Sequence, residues 1–161
     1  MARQFSLPVN LKTVQMFSPK TTNASLSSQG ISLKGCAKAW VIFEFTQAVG
    51  HATTPTLIQA QAIAGTGNKA GPTSAIWANE DTAATDTLVK KTAAASYAVT
   101  NDIKNKQVVF EIDASTLDVA NGFDCIYFTI GTSSQATNFV SATAYLQTSY
   151  QQATPPSQIL D

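Results

Sequence analysis

The sequence predicts an all-β fold, a single-domain antiparallel β-sandwich or jelly roll with extended N- and C-terminal arms. Many short segments rich in β-branched and aromatic residues alternate apolar with polar positions, and Gly, Pro, Asn and Asp separate them. The length of 161 residues fits one domain, and 44% hydrophobic residues suffice for a packed core. We therefore expect an arm over residues 1–24, a sandwich over residues 25–150 and a tail over residues 151–161.

The strongest strand signal lies at residues 38–47, which read KAWVIFEFTQ without Pro or Gly. Successive side chains of a strand point to opposite faces. One face of this segment is then wholly apolar and consists of Ala39, Val41, Phe43 and Phe45. The other face begins with Trp40 and becomes polar at Glu44. This pattern predicts an interior strand of the sandwich whose far end reaches solvent.

The residues before this strand carry weaker signals. From Phe5 onward, apolar and polar residues alternate within residues 1–24 and suggest a strand-like arm, which Pro8 would restrict to a sheet edge. We expect Pro19 and the polar residues after it to end this arm. Residues 24–33 then indicate a short strand pair or one kinked strand.

The middle of the chain alternates strands with turns. Residues 56–64 have a small apolar face that includes Ile58 and Ala60, and we expect this face to lie against the other sheet. The Gly-rich residues 65–73 predict a long turn, and residues 74–79 predict a short strand.

The last part of the chain predicts three strands and one ambiguous segment. Residues 87–100 fit a helix or a strand, and the surrounding β pattern favours a strand. Residues 107–113 indicate a half-buried strand, and residues 115–122 one short helical turn before a glycine. Residues 124–130 are apolar on both faces, which predicts a central strand covered on both sides, and residues 138–150 predict a final half-buried strand.

The charge pattern excludes some classes of partner. Ten basic and ten acidic residues cancel, and Arg3 is the only arginine, so we expect no nucleic-acid partner. No apolar run approaches the ~20 residues of a membrane span, so we expect no membrane partner. The N-terminus lacks the apolar core of a signal peptide, which suggests a cytoplasm-like compartment. Charged residues make up only 12% of the chain, a composition that suits a protein packed in an assembly.

Few residues are candidates for catalysis, and we expect neither an enzyme nor a cofactor. His51, the only histidine, lies in a Gly/Thr/Pro loop without a G-x-S-x-G motif elsewhere, which favours a solvated histidine. Residues 65–70 (GTGNKA) partly match a dinucleotide fingerprint, but no helical pattern follows, so a hairpin explains them better. Cys36 and Cys125 lack the spacing of zinc ligands. We expect buried free thiols, while a disulfide between them stays open.

Carbohydrate chemistry is a further alternative. Glu111 and Asp113 fall on one strand face, where two carboxylates can reach the spacing that a glycosidase needs, but no cluster of Trp or Tyr surrounds them. A solvated sheet face explains them better. A β-sandwich carbohydrate-binding module remains open, in which Trp40, Trp77 or Tyr97 would serve as a stacking platform.

Three stretches resemble a known class of proteins. They are residues 31–35 (ISLKG), residues 76–89 (IWANEDTAATDTLV) and residues 104–128 (KNKQVVFEIDASTLDVANGFDCIYF). Together they resemble small structural proteins of tailed bacteriophages that lie on or between capsid subunits. The resemblance implies a β-sandwich that decorates or cements the capsid, is made in the host cytoplasm and resides on the capsid surface. Its partners would be the major capsid protein and copies of itself, as a dimer or trimer.

The arms are expected to make the contacts with other subunits. The candidate contact residues are Phe5, Leu7, Val9, Pro155, Pro156, Ile159 and Leu160. Docking on a neighbour, for example by adding a strand to a sheet edge, would bury these apolar groups. We expect deletion of residues 151–161 to leave the fold intact and to weaken assembly. The alternatives are a head–tail joining or fibre-base component of the virion and the carbohydrate-binding module described above.

Overall fold

The computed structural model describes residues 6–150 and 157–160, and this part of the chain consists mainly of strands. A four-residue helix, α1 (Leu7–Asn10), precedes the first strand, and two 3-10 turns, Ala114–Thr116 and Val119–Asn121, precede the tenth. The strands in chain order are β1 (Lys12–Thr21), β2 (Leu26–Ser27), β3 (Ile31–Ser32), β4 (Cys36–Thr46), β5 (Pro55–Ala60), β6 (Lys69–Ala70), β7 (Ser74–Asn79), β8 (Val89–Ala94), β9 (Asn105–Asp113), β10 (Cys125–Ile130) and β11 (Phe139–Thr148).

The strands form two antiparallel sheets of one sandwich. The larger sheet has the order β1-β11-β4-β9-β7-β8, and the smaller has the order β2-β10-β5-β6, with β3 also paired to β10. The predicted β-sandwich is therefore confirmed. The strand predicted from residues 38–47 is β4, and it is interior because it pairs with β11 on one side and β9 on the other.

The core lies between the two sheets and is centred on Phe43. This ring on β4 lies 4.9 Å from Phe128 on the smaller sheet and 5.8 Å from Phe110 on β9, both in edge-to-face arrangements. Phe17 and Phe45 complete the cluster at centroid distances of 6.4 and 6.1 Å. Such geometries are the favoured ones for aromatic pairs, and here they join both sheets.

The N-terminal region differs from the expected arm. Residues 12–21 form β1, an edge strand of the larger sheet, because Val14, Met16 and Phe17 are apolar enough to be buried in the core. Pro19 does not end this strand, since the register of β1 against β11 shifts beyond Phe17 and the irregularity accommodates a residue without an N–H. The arm predicted over residues 1–24 is thus largely a strand of the sandwich.

The inward face of β5 is the opposite of the one expected. Leu57 and Gln59 are buried, whereas Ile58 is partly exposed, and the strand ends at Ala60. The Gln59 side chain tolerates burial because both of its polar groups are hydrogen-bonded. Its amide nitrogen donates to the Ala70 carbonyl, and its oxygen accepts from the backbone amide of Asp118. The alternation alone could not identify this face, because a glutamine is rarely buried unless such partners exist.

The other strand predictions give mixed results. Residues 89–94 form β8, so the strand interpretation of this ambiguous segment is confirmed. β10 is central, but Tyr127 and Thr129 on its outer face are partly exposed, so it is not covered on both sides. Cys36 and Cys125 are buried free thiols, as expected.

Candidate functional site at the terminal end of the sandwich

The described parts of both chain ends lie at the same end of the sandwich. Lys12 at the start of β1 pairs with Leu146, and Thr148 at the end of β11 pairs with Cys36 at the start of β4. Residues 157–160 contact the same region. We call this region, formed by α1, residues 157–160 and the adjoining strand ends, the terminal end.

Four of the predicted contact residues belong to this region, namely Leu7, Val9, Ile159 and Leu160, and all four are exposed. Val9 keeps 66% and Leu160 keeps 71% of its surface in contact with solvent. Leu7 and Val9 lie in α1 rather than in the strand-like segment expected, and Pro8 fits there because the first turn of a helix needs no N–H donor. Phe5, Pro155 and Pro156 lie outside the described residues.

A groove of about 620 Å³ opens at the terminal end beside the start of β4. Leu33, Leu117 and Val119 contribute apolar lining, and Lys38 and Asp113 contribute charges of opposite sign. A smaller groove of about 360 Å³ follows α1 and ends at Thr148. Together these concave surfaces and the exposed apolar side chains offer shape and apolar area for a protein contact.

The C-terminal segment is anchored on its own sandwich through Gln158. This residue is only 3% exposed. Its carbonyl accepts a hydrogen bond of 2.8 Å from the Ser32 amide, and its side-chain oxygen lies 3.7 Å from the Cys36 sulfur, which donates to it. Ile159 and Leu160 directly follow this anchored residue, and Leu160 lines a further groove that shares Lys34 and Asp124 with the one beside β4.

The ionisable groups at the terminal end take part in structural hydrogen bonds and ion pairs. Burial raises the pKa of the Cys36 thiol, and nearby Lys12 only partly opposes this, so the thiol stays protonated and acts as a donor. Hydrogen bonds from the Ser115 hydroxyl and amide lower the pKa of Asp113, whose carboxylate caps the first 3-10 turn. The Glu111 carboxylate pairs with Lys38 at 2.5 Å. Each of these charges already has a partner within the chain.

The other sequence-predicted candidates lie elsewhere. His51 is exposed in the loop after β4, at the opposite end of the sandwich, and Gln47 donates to its carbonyl. Residues 65–68 belong to the connection from β5 to β6, and residues 69–70 form β6, which pairs antiparallel with β5, so this segment is a hairpin as predicted. Within residues 6–150 and 157–160, no group of three or more His, Cys, Asp or Glu side chains is placed to hold a metal ion.

The three aromatic residues considered as a sugar-stacking platform do not lie on one surface. Trp40 and Trp77 both lie on the outer face of the larger sheet, because their strand neighbours on either side are buried in the core. Tyr97 packs against the core and donates its hydroxyl to Glu80. Sequence reasoning did not find Gln158, since no local pattern marks a polar residue that becomes buried by a contact over more than a hundred residues.

Comparisons with known proteins agree with this fold. No protein-family model matches the chain, and no curated protein matches its sequence. The structure is similar to that of the SPBc2 prophage-derived protein YomS, with a TM-score of 0.51 and 10% identity, covering 85% of this chain and 92% of that chain. This likeness shows a shared fold.

Two further similarities are weaker. A structure described as "CBM4 structure and function" matches with a TM-score of 0.34 and 9% identity, covering 84% of this chain and 69% of that chain. A chain of Triatoma Virus matches with a TM-score of 0.35 and 11% identity, covering 100% of this chain and 73% of that chain. At these TM-scores the likeness carries no argument. In the described residues no helix is long and apolar enough to cross a membrane.

Proposed function

We propose that this protein is a non-enzymatic structural component of a tailed-phage virion, which decorates or cements the capsid by bridging neighbouring subunits through its terminal end. The observation that carries the proposal is the convergence of both chain ends, with exposed Leu7, Val9, Ile159 and Leu160, on one end of a weakly charged sandwich. The fold shared with a prophage-derived protein and the sequence resemblance to capsid-associated proteins support the phage assignment.

A protein of this kind stabilises a capsid through many copies of the same weak contact. Each copy buries only a small apolar surface at the terminal end, and one such contact would be weak. A symmetric shell offers the same contact many times, and a protein that binds only the assembled shell stabilises that state by mass action. Low surface charge helps, because neighbouring copies repel each other weakly at close spacing.

Co-sedimentation of the purified protein with capsid shells assembled without it tests the proposal. We expect saturable binding at a fixed high copy number spread over the shell. Binding restricted to a single vertex would instead favour the head–tail joining or fibre-base role. No binding to shells, expanded or unexpanded, would overturn the assignment.

A pair of matched variants locates the contact. Val9→Asp places a charge in the proposed contact, so we expect it to weaken shell binding at least tenfold. Ile103→Asp is the control, because Ile103 is 67% exposed, nearly the same fraction as Val9, but precedes β9 at the opposite end of the sandwich. Equal binding by the two variants would show that the terminal end is not the contact surface.

A further inference from the structure

The outer face of the larger sheet carries an apolar centre that the proposed capsid contact does not use. The outward side chains near the middle of this face are Trp40, Ile42, Trp77, Val109 and Tyr145, which we call the outer aromatic patch. The outer face of an antiparallel sheet is normally polar, because only the other face packs on the core. This apolar centre on the solvent side is therefore a candidate binding surface, although its residues are only partly exposed and Val109 is buried.

The strand register fixes the layout of the patch. Trp40 on β4 lies opposite Tyr145 on β11, while Trp77 on β7 lies opposite Val109, which in turn lies opposite Ile42. The two tryptophans are thus two strands and two residues apart, about 12 Å from the strand spacing and rise of a sheet. On β9 between them lie Val109, which its neighbours bury, and Glu111, which lies directly opposite Trp40. The arrangement is a short track with an aromatic ring at each end.

Polar side chains of both signs border this track. Lys38 and Glu111 form an ion pair next to Trp40, and Lys90 lies across from Trp77 on β8. The ammonium groups lie 5.9 Å from the Trp40 ring centroid and 5.7 Å from the Trp77 centroid. These distances are near the ~6 Å limit of a cation–π contact, so both contacts are loose and a ligand can displace them.

We propose that the outer aromatic patch binds a neutral saccharide chain, with pyranose rings stacked on Trp40 and Trp77. A pyranose ring presents an apolar C–H face to an aromatic ring and a rim of hydroxyl groups that need donors and acceptors. Lys38 and Glu111 supply both kinds of group at the edge of the track. Glu111, Lys38 and Lys90 border the patch, and together they carry a net charge of only about +1. Since the whole chain has zero net charge, a polyanion would gain little electrostatic attraction there.

The small area of the patch argues against a second copy of this chain as the occupant. A fully exposed aromatic side chain offers about 150–250 Å². Trp40, Trp77 and Tyr145 are each mostly buried by their neighbours, so the three rings together expose less than about 300 Å². A stable protein interface buries about 800 Å² on each partner, several times more. A few sugar rings need no more than the patch provides.

Trp40 and Trp77 are the only tryptophans of the chain, so fluorescence excited selectively at tryptophan, and not at the four tyrosines, reports on this patch alone. The test combines an array of neutral bacterial and plant glycans with fluorescence titration by cellohexaose, chitohexaose and any glycan bound on the array. Dextran sulfate serves as the polyanionic control. We expect saturable spectral changes with at least one neutral glycan and none with dextran sulfate. Absence of any array signal together with unchanged fluorescence would overturn the proposal.

Variants separate the patch from the rest of the sheet. We expect Trp40→Ala and Trp77→Ala each to weaken glycan binding about tenfold or more, since each removes one stacking ring while the other remains as the reporter. Phe139→Ala is the control, because Phe139 is an exposed ring on the same face of β11, six residues from Tyr145. Thermal melts confirm that the variants are folded. Unchanged glycan affinity in both tryptophan variants would contradict the proposal.

Two further measurements distinguish a failure of the saccharide proposal from a failure of the capsid proposal. If the patch is an interface between copies, sedimentation velocity will show an oligomer that Trp77→Ala dissociates, and this result would overturn the saccharide proposal. The same variant should still co-sediment with capsid shells, because the terminal end is unchanged. Glycan binding without shell binding would contradict only the capsid proposal.

Discussion

Among single residues, Phe43 has the most direct consequence for stability, because its ring contacts aromatic rings from both sheets and is fully buried. We expect Phe43→Ala to lower the free energy of unfolding by about 3–5 kcal/mol, the usual cost of a large cavity in a packed core. Urea denaturation followed by circular dichroism measures this change.

The control for this substitution is Phe139→Ala. Phe139 is 43% exposed on β11, so its truncation leaves no enclosed cavity and should cost less than about 1 kcal/mol. Similar losses for the two variants would mean that the aromatic cluster around Phe43 does not organise the core.

The sequence predicts which side chains are buried where apolar and polar residues alternate along a strand. It does not predict burial that depends on a hydrogen-bond partner far away in the chain. The inward face of β4 was predicted correctly, since every second residue from Ala39 to Phe45 is apolar. Gln59 and Gln158 are buried because hydrogen bonds form with residues far apart in the chain, and no local pattern records such partners. Lys106 is a third example of the same kind.

Lys106 is only 2% exposed, and its ammonium group donates to three oxygens. They are Gln47 Oε1 at 2.5 Å and the Thr100 carbonyl and hydroxyl at 2.6 and 2.7 Å. Lys106→Met would leave these acceptors without this donor, so we expect a loss of about 1–3 kcal/mol at pH 7. Urea unfolding of both proteins measures it.

The pH dependence of this difference has a defined sign. Burial lowers the pKa of Lys106 in the folded state, so between that value and 10.5 the unfolded chain binds more protons than the folded one. Folding stability from this group then rises with pH in that window. The stability advantage of the natural chain over Lys106→Met should therefore increase as the pH rises from 7 towards 10.5. A decrease over this range would contradict the assigned direction of the pKa shift.

At the scale of elements, residues 12–21 and 157–160, near the two ends of the chain, do not form the free arms expected from the sequence. β1 contains Pro19, yet its buried residues make it an edge strand, and residues 157–160 are held on the sandwich through Gln158. Edge strands and buried tails are set by tertiary pairing, which local propensity describes poorly. Leu7, Val9, Ile159 and Leu160 are exposed on segments that adjoin these anchored residues.

The anchoring of the tail gives a specific prediction for its deletion. Removing residues 151–161 takes away the Gln158 side chain that covers the Cys36 thiol. We expect the sandwich to remain folded, with a loss of about 1–3 kcal/mol from the Ser32 amide and the other polar groups left unpaired. Cys36 should also react faster with a disulfide reagent, because partial exposure removes some of the burial that raises its pKa.

Labelling rates are best measured in a Cys125→Ser background, so that Cys36 alone reacts. Leu160→Ala is the matched control, since it changes the same segment but leaves Gln158 in place and removes only an exposed side chain. An unchanged labelling rate in the truncated protein would show that the segment does not cover Cys36 in solution.

At the scale of the whole molecule, the few charges are concentrated in ion pairs and caps that join different elements. Lys104 pairs with Asp81 at 2.8 Å, Lys91 pairs with Glu80 at 3.1 Å, and Lys69 pairs with Asp118. The outer aromatic patch and the terminal end meet at Lys38, whose ammonium group lies near the Trp40 ring and which also lines the groove beside the start of β4.

The same pairs predict how the molecule responds to acid. Hydrogen bonds lower the pKa of four carboxyl groups in the folded state, chiefly from Tyr97 to Glu80, from Lys104 to Asp81, from Ser115 to Asp113 and from Lys69 to Asp118. A carboxyl group with a lowered folded pKa stabilises the protein above its unfolded pKa of about 4, and this stability is lost as the pH falls through the folded value. The free energy of unfolding should be nearly constant between pH 7 and pH 5 and fall below pH 4.

Urea midpoints at pH 7, 5, 4 and 3 measure this dependence, and two variants identify its source. Asp81→Asn with Asp118→Asn removes two of the shifted groups, so the double variant should lose less stability between pH 5 and pH 3 than the natural chain. Asp86→Asn removes one charge at an exposed loop position and serves as the control. Equal acid dependence in the double variant and the natural chain would mean that these pairs do not hold the elements together. The fall in stability would then have to come from charge repulsion over the whole surface, which a chain with so few charged residues supports poorly.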